Sequence, residues 1–349
     1  MHKMAKSYFV AEVPSLVVKL LLLTVLMATI TTTGAQIGVC YGTVANNLPP
    51  PREVISMCNQ RNIKRMRLYG PNHDVLEALR GSNIELMIGV ENERIRDIAL
   101  NQASADDWVQ RNVLTYGNVN FKYIAVGNEI ESGPIAQYVG PAIEKIQNAI
   151  YRAGFGDRIK VSTAVHPVIL QDSYPPSRGS FRQDYRAFLD PIIGILLGNK
   201  SPLLLNMYPY FSYIQNRANI DLRYALFTYP SVRVQDGEYG YQNLFDAILD
   251  AHYAALEKVG GGSLKIVVSE TGWPSAGGDG QVTTQENARI YNSNVIRHVK
   301  GGTPRRPGGP IETYLFAMFN ENLKHGDPTE NNFGLFYPNK SPVYSTNFN

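Results

Sequence analysis

The chain has 349 residues, 44% hydrophobic and 18% charged, with a formal net charge of +3. That is enough apolar material for one large core, and too little charge of one sign to point to nucleic acid or a membrane surface as the partner. Two cysteines exclude a disulfide framework; buried thiols are expected at Cys40 and Cys58 in preference to a bridge.

Residues 1–35 stand apart. Lys3, Lys6 and Lys19 precede an apolar run from Leu20 to Ile30, and Thr33-Gly34-Ala35 follow. This is the layout of a secretory signal peptide cut after Ala35. The run is shorter than the roughly 20 residues a membrane-spanning helix needs. Cleavage would remove three Lys and Glu12, lowering the formal charge from +3 to +1. Residues 36–349 are read as one domain, monomeric, secreted and free of the membrane once cut. Asn199 and Asn339 lie in glycosylation sequons, but a Pro follows each Ser, which disfavours occupancy.

From Gln36 the chain alternates strand and helix. Ile37 to Tyr41 predicts a first strand, and Pro49-Pro50-Pro51 opens a helix through Cys58, with Pro in the first turn where its missing N–H does no harm. Strands follow at Arg65 to Tyr69, Glu85 to Val90 and Phe121 to Gly127, with helical pieces between. Pro141 starts an amphipathic helix with Ile143, Ile146 and Ile150 on one face, and Gly154 ends it. Lys160 to Ala164 and Leu203 to Met207 predict strands five and six, with a helix from Tyr185 to Leu197 between them. The Tyr-rich stretch from Ser212 to Tyr239 is an elaborated connection after strand six. Leu244 to Val259 predicts a helix stopped by three glycines, and Leu264 to Val268 a seventh strand. Thr283 and Glu286 read as a capping box for the next helix, and Thr313 to Phe319 as an eighth strand. Eight strands with helical partners predict a single-domain α/β chain, a (β/α)8 TIM barrel. No G-x-G-x-x-G follows any strand, which argues against a dinucleotide fold.

Two strands end on a carboxylate. VGNE places Asn128 and Glu129 at one strand tip, and IVVSETGWPS places Glu270 at another. A lone strand-end Glu is more often a salt-bridged residue than a catalyst. Two of them suit glycoside hydrolysis, which needs one carboxyl to protonate the leaving oxygen and one to attack or to activate water. Glu321, Lys324 and Glu330 follow strand eight, and Tyr41, Tyr69, Tyr208, Tyr210 and Trp273 gather near strand ends. Flat rings suit the C–H faces of sugars, although core packing is the commoner use of any one ring. No H-E-x-x-H or close His spacing suggests a metal, no G-x-S-x-G is present, and the G-V-C-Y-G around Cys40 lacks the helix an elbow needs. No cofactor is expected.

VGNE, NMYPY, IVVSETGWPSAG, FNENLK and NFGLFYPNK together resemble family 17 of the glycoside hydrolases, the plant β-1,3-glucanases, from Ile37 to the C-terminus. The resemblance implies a (β/α)8 barrel, a plant protein secreted to the cell wall space, whose catalytic domain is residues 36–349, and endo-hydrolysis of β-1,3-glucan with retention. It implies Glu129 as acid/base and Glu270 as nucleophile. Asn128 would bind near the scissile sugar, Tyr41, Tyr208 and Trp273 would line the cleft, and Glu321, Lys324 and Glu330 would support the carboxylates. Asn320 departs from the Asp common among relatives. Two other readings stay open: a β-1,3-1,4-glucanase or transglycosylase on the same fold, and a non-catalytic glucan-binding defence protein.

Overall fold

Eight short strands of mostly buried residues pair side by side and close into a ring: β1 (Ile37–Cys40), β2 (Arg65–Leu68), β3 (Glu85–Val90), β4 (Asn120–Asn128), β5 (Lys160–Val165), β6 (Leu203–Asn206), β7 (Ile266–Thr271) and β8 (Thr313–Leu315). The computed structural model describes residues 36–348, so the expected signal segment lies outside the described residues. Every neighbouring pair is parallel, and the order around the ring follows the chain. Parallel neighbours need crossover connections, and the intervening helices supply them. The chain is the (β/α)8 barrel that the alternation predicts. The ring closes where β1 meets β8, with Gly38 opposite Tyr314. A Cβ on Gly38 would lie 2.5 Å from the Tyr314 ring, so a side chain there would force that seam apart.

The predicted apolar face of the helix after β4 holds better than its predicted start. Helix α1 (Val139–Arg152) buries Ile143, Ile146 and Ile150 completely. It begins two residues before Pro141, which the first turn tolerates because its N–H groups have no intrahelical acceptor. Helix α2 (Leu244–Lys258) starts on an Asn243 cap, whose side chain accepts from Asp246 N. At its other end Gly260 takes φ +81°, and the amides of Gly260 and Gly261 bond back to Glu257 O and Leu256 O. The left-handed turn that lets both hydrogen bonds form is the reason for a glycine at position 260. In helix α3 (Gln285–His298) the cap is Thr284, which accepts from Asn287 N, and not Thr283 as the sequence pattern predicts. The Thr283 hydroxyl instead accepts from Gly278 N and Gly280 N in the preceding loop.

Strand eight is shorter than predicted, its regular ladder ending at Leu315, while Phe316 and Met318 still donate to Thr271 O and Cys40 O. The connection after β6 holds short helices (Pro209–Gln215 and Leu222–Ala225) and a hairpin (Val234–Asp236 with Tyr239–Tyr241). Cys40 and Cys58 are both free and buried.

Candidate active site

The carboxyl-terminal ends of the strands frame a cleft of about 570 Å³. It gathers Glu129 and Glu270 with Asn128, Tyr208, Glu321, Lys324 and Glu330. Two backbone irregularities deliver the first pair. The register of β4 on β5 shifts between Ala125 and Asn128, and that of β7 on β6 shifts between Val268 and Glu270. Such a bulge re-aims the side chains beside it. Glu270 therefore lies within β7, past the bulge, and not in the loop beyond a strand ending at Val268. On β4, Gly127 takes φ +75°, and a Cβ there would lie 2.7 Å from Ile95 Cδ1. Glu129 itself takes φ +53°, held by the hydrogen bond that its backbone N–H donates to Ala164 O at 2.8 Å. A left-handed Glu costs on the order of 1–3 kcal/mol, which the surrounding barrel must offset.

Glu270 is 6% exposed and enclosed by donors. Its Oε1 accepts from Arg67 Nη1 at 2.9 Å, Tyr69 Oη at 2.8 Å and Asn206 Nδ2 at 3.0 Å. Its Oε2 accepts from Tyr208 Oη at 2.6 Å. Arg67 stands on the inward face of β2, 1% exposed, with its guanidinium over the Tyr69 ring at 4.7 Å. Two ions this buried are tolerable only as a pair with further hydrogen bonds. Replacing Arg67 by Met should therefore destabilise the fold by about 3–5 kcal/mol, because an unpaired buried carboxylate remains. The denaturation midpoint measures it; a midpoint equal to that of the unaltered chain would show that Glu270 does not depend on this cation. Arg67→Lys should not restore full stability, since a single ammonium cannot also reach Asn128 and Asn206 as the fork does.

Among the described residues the Glu129 carboxylate accepts one hydrogen bond, from Asn206 Nδ2 at 2.8 Å. Its carboxyl is pushed up to about 7, first by burial and then by the charge of Glu270, while Asn206 and Arg67 pull the other way. Because one amide nitrogen touches both carboxylates, Glu129 Oε1 and Glu270 Oε1 are no more than about 6 Å apart, compatible with the roughly 5–5.5 Å of a retaining pair. Asn128 Oδ1 accepts from Arg67 Nη2 at 2.7 Å and Asn206 Nδ2 at 3.0 Å, which leaves its own amide nitrogen without a partner among the described residues.

Around this pair Glu321 is 2% exposed, and its Oε1 accepts from Val44 N at 2.8 Å. Lys324 Nζ lies 3.7 Å from Glu321 and 3.4 Å from Glu330, over the Phe316 ring. Burial raises the Glu321 carboxyl, and Lys324 opposes the rise. The cation paired with Glu270 is thus Arg67; Lys324 serves the neighbouring carboxylates.

Two expected cleft residues sit elsewhere. Trp273 is wholly buried behind the wall, its Nε1 donating to Val282 O at 2.9 Å and its ring packed on Tyr210 and Tyr291. Tyr41 is 3% exposed and packs edge-on against Phe319. Neither ring face is open to a sugar. For such large rings, burial outweighs display at the rim. Arg67 and Asn206, in contrast, are central, yet sequence reasoning passed over them. A signal existed: Arg65 and Arg67 alternate with buried Met66 and Leu68, so one face of β2 had to put two Arg inside the barrel.

The family profile described as Glycosyl hydrolases family 17 matches residues 37–348. The chain is 55% identical over 337 residues to a glucan endo-1,3-beta-glucosidase of Vitis vinifera, covering 95% of this chain and 97% of that protein. It is 53% identical, over 95% of this chain and 90% of the other, to a basic vacuolar isoform of glucan endo-1,3-beta-glucosidase from Nicotiana tabacum. Among solved structures, a beta-1,3-glucanase and allergen of Cryptomeria japonica pollen aligns with TM-score 0.87 and 46% identity, over 90% of this chain and 99% of that one.

Proposed function

The chain belongs to family 17 of the glycosyl hydrolases, and from that premise we propose that it cleaves internal β-1,3 bonds of β-1,3-glucan by a retaining double displacement. The observation that carries the proposal is the single amide of Asn206 touching both Glu129 and Glu270. Two carboxyl groups that close, in unlike surroundings, suit an acid and a nucleophile.

In the first step Glu270 attacks the anomeric carbon. The glycosidic C–O bond breaks, a C–O bond to Glu270 forms, and the Glu129 proton passes to the leaving oxygen. In the second step Glu129 takes a proton from water, whose oxygen bonds to the anomeric carbon, and Glu270 departs as a carboxylate. The free amide nitrogen of Asn128 is available to a sugar hydroxyl. Tyr208 holds Glu270 from the cleft side, and Glu321, Lys324 and Glu330 form a charged wall beside the pair.

Glu129 must hold its proton in the free enzyme. With its carboxyl pushed up to about 7, kcat/KM should fall as pH rises through about 7, because the ionised form cannot donate. A profile flat to about pH 9 would count against Glu129 as the acid. A reducing-sugar assay across glucans tests the substrate: release from β-1,3-glucan is expected, whereas equal or better cleavage of mixed-linkage glucan would move the assignment to a β-1,3-1,4-glucanase.

Residues 1–35 are read as a cleaved signal that sends the domain to the cell wall space, and the charge-then-apolar layout supports the cleavage. No helix among the described residues is long and apolar enough to cross a membrane. Secreted material whose first residue is Gln36 would agree with this reading; an intact N-terminus would not.

A further inference from the structure

Resting on the two-carboxylate reading, we propose that Asn206 is a positioning residue whose side-chain amide shifts its hydrogen bond from Glu270 to Glu129 between the two half-reactions.

The inference starts from a shortage of hydrogens. Asn206 ends β6 and is fully buried. Its amide oxygen accepts from Arg67 Nη1 at 2.8 Å and from Ser269 Oγ at 2.7 Å. Those donors fix the orientation of the amide, because an NH2 group in that place would meet a guanidinium. Its nitrogen then lies 3.0 Å from Asn128 Oδ1, 2.8 Å from Glu129 Oε1 and 3.0 Å from Glu270 Oε1. An amide nitrogen carries two hydrogens, so three acceptors compete for them. Two of the acceptors have other donors: Arg67 serves Asn128, and Arg67 with Tyr69 serves Glu270 Oε1. Glu129 Oε1 has no other donor among the described residues.

Charge decides such a competition, since a hydrogen bond to an ionised acceptor is roughly twice as strong as one between neutral groups. Before reaction Glu270 is the anion and draws one Asn206 hydrogen, leaving the other to be shared by Asn128 Oδ1 and Glu129 Oε1. Glu129 is neutral, its Oε1 accepts, and the acidic proton is therefore held on Oε2. The first step exchanges the charges: Glu270 becomes a neutral ester, and Glu129, its proton gone with the leaving group, becomes the anion. A slight tilt of the amide then gives Glu129 the full hydrogen bond that Glu270 held, while the other hydrogen stays with Asn128. The ionised base is stabilised in the one state that requires it, and the bond returns when Glu270 is released.

The test is Asn206→Ala, with Asn206→Ser as a second variant that keeps a small polar group beside Ser269. The substrate is a 2,4-dinitrophenyl β-laminaribioside, whose leaving group needs no acid, so kcat reports the second step. The acidic limb of kcat follows Glu129 in the glycosyl-enzyme; the alkaline limb of kcat/KM, measured on glucan, follows it in the free enzyme. The acidic limb of kcat should move up by at least about one pH unit, and the alkaline limb of kcat/KM by clearly less. Equal shifts would overturn the transfer, since a fixed hydrogen bond moves both limbs alike. Unmoved limbs with lower activity would reduce Asn206 to a structural role and overturn it too. Glu129→Ala is run in parallel: if that variant keeps both limbs, the two-carboxylate reading itself fails.

Discussion

Glu270→Gln should leave the barrel folded and lower turnover on a soluble β-1,3-glucan by at least about four orders of magnitude. The fold survives because the amide is nearly isosteric. Its carbonyl can still accept from Arg67, Tyr69 and Asn206, and its NH2 can face the Tyr208 hydroxyl with that hydroxyl as acceptor. Some stability is lost, since Arg67 keeps a dipole where it had an anion. The chemistry does not survive, because a neutral amide nitrogen cannot form the covalent glycosyl ester. Circular dichroism checks the first half and reducing-sugar release the second. Ordinary turnover in a folded variant would remove Glu270 from the mechanism.

Glu129→Ala should lose roughly 10²–10⁴-fold on glucan, the usual worth of a positioned acid. On the dinitrophenyl substrate the bond-breaking step should be nearly intact, because that phenolate departs unprotonated. The second step lacks its base, so a burst of phenolate and accumulation of the glycosyl-enzyme are expected. Azide should then restore turnover, entering the space left by the carboxylate and attacking without base help to give a β-glycosyl azide. The alkaline limb that the half-buried Glu129 imposes near pH 7 should vanish as well. A variant that azide cannot rescue, and that still shows the limb, would contradict the assignment.

Both carboxylates were visible in the chain before folding because each interrupts an apolar β-branched run, a pattern that local composition reveals. Their aim was not. The bulges before Asn128 and Glu270, and the left-handed φ at Glu129, arise from pairing with β5 and β6, so they depend on partners remote in the chain. The same limit explains Trp273 and Tyr41. A ring at a strand end reads equally as a cleft platform or as a wall, and only the packing of Tyr210, Tyr291 and Phe319 decides for the wall. Arg67 and Asn206 were obscured for another reason. An inward Arg in a short strand is costly alone, and its cost is met largely by Glu270, Ser269, Asn128 and Asn206, which come from three other strands. The apolar face of α1 was legible because side-chain period is local. The cap of α3 slipped by one residue because Thr283 and Thr284 offer the same hydroxyl, and the preceding loop claims the first.

The most direct measurement is to trap the covalent intermediate. The unaltered enzyme is incubated with a 2-deoxy-2-fluoro laminaribiosyl fluoride, digested, and mapped by mass spectrometry. The expected adduct is a glycosyl ester on the peptide holding Glu270, with unlabelled peptide around Glu129. An adduct on Glu129, Glu321 or Glu330 instead, or product released first as the α-anomer with no adduct, would contradict a retaining mechanism centred on Glu270.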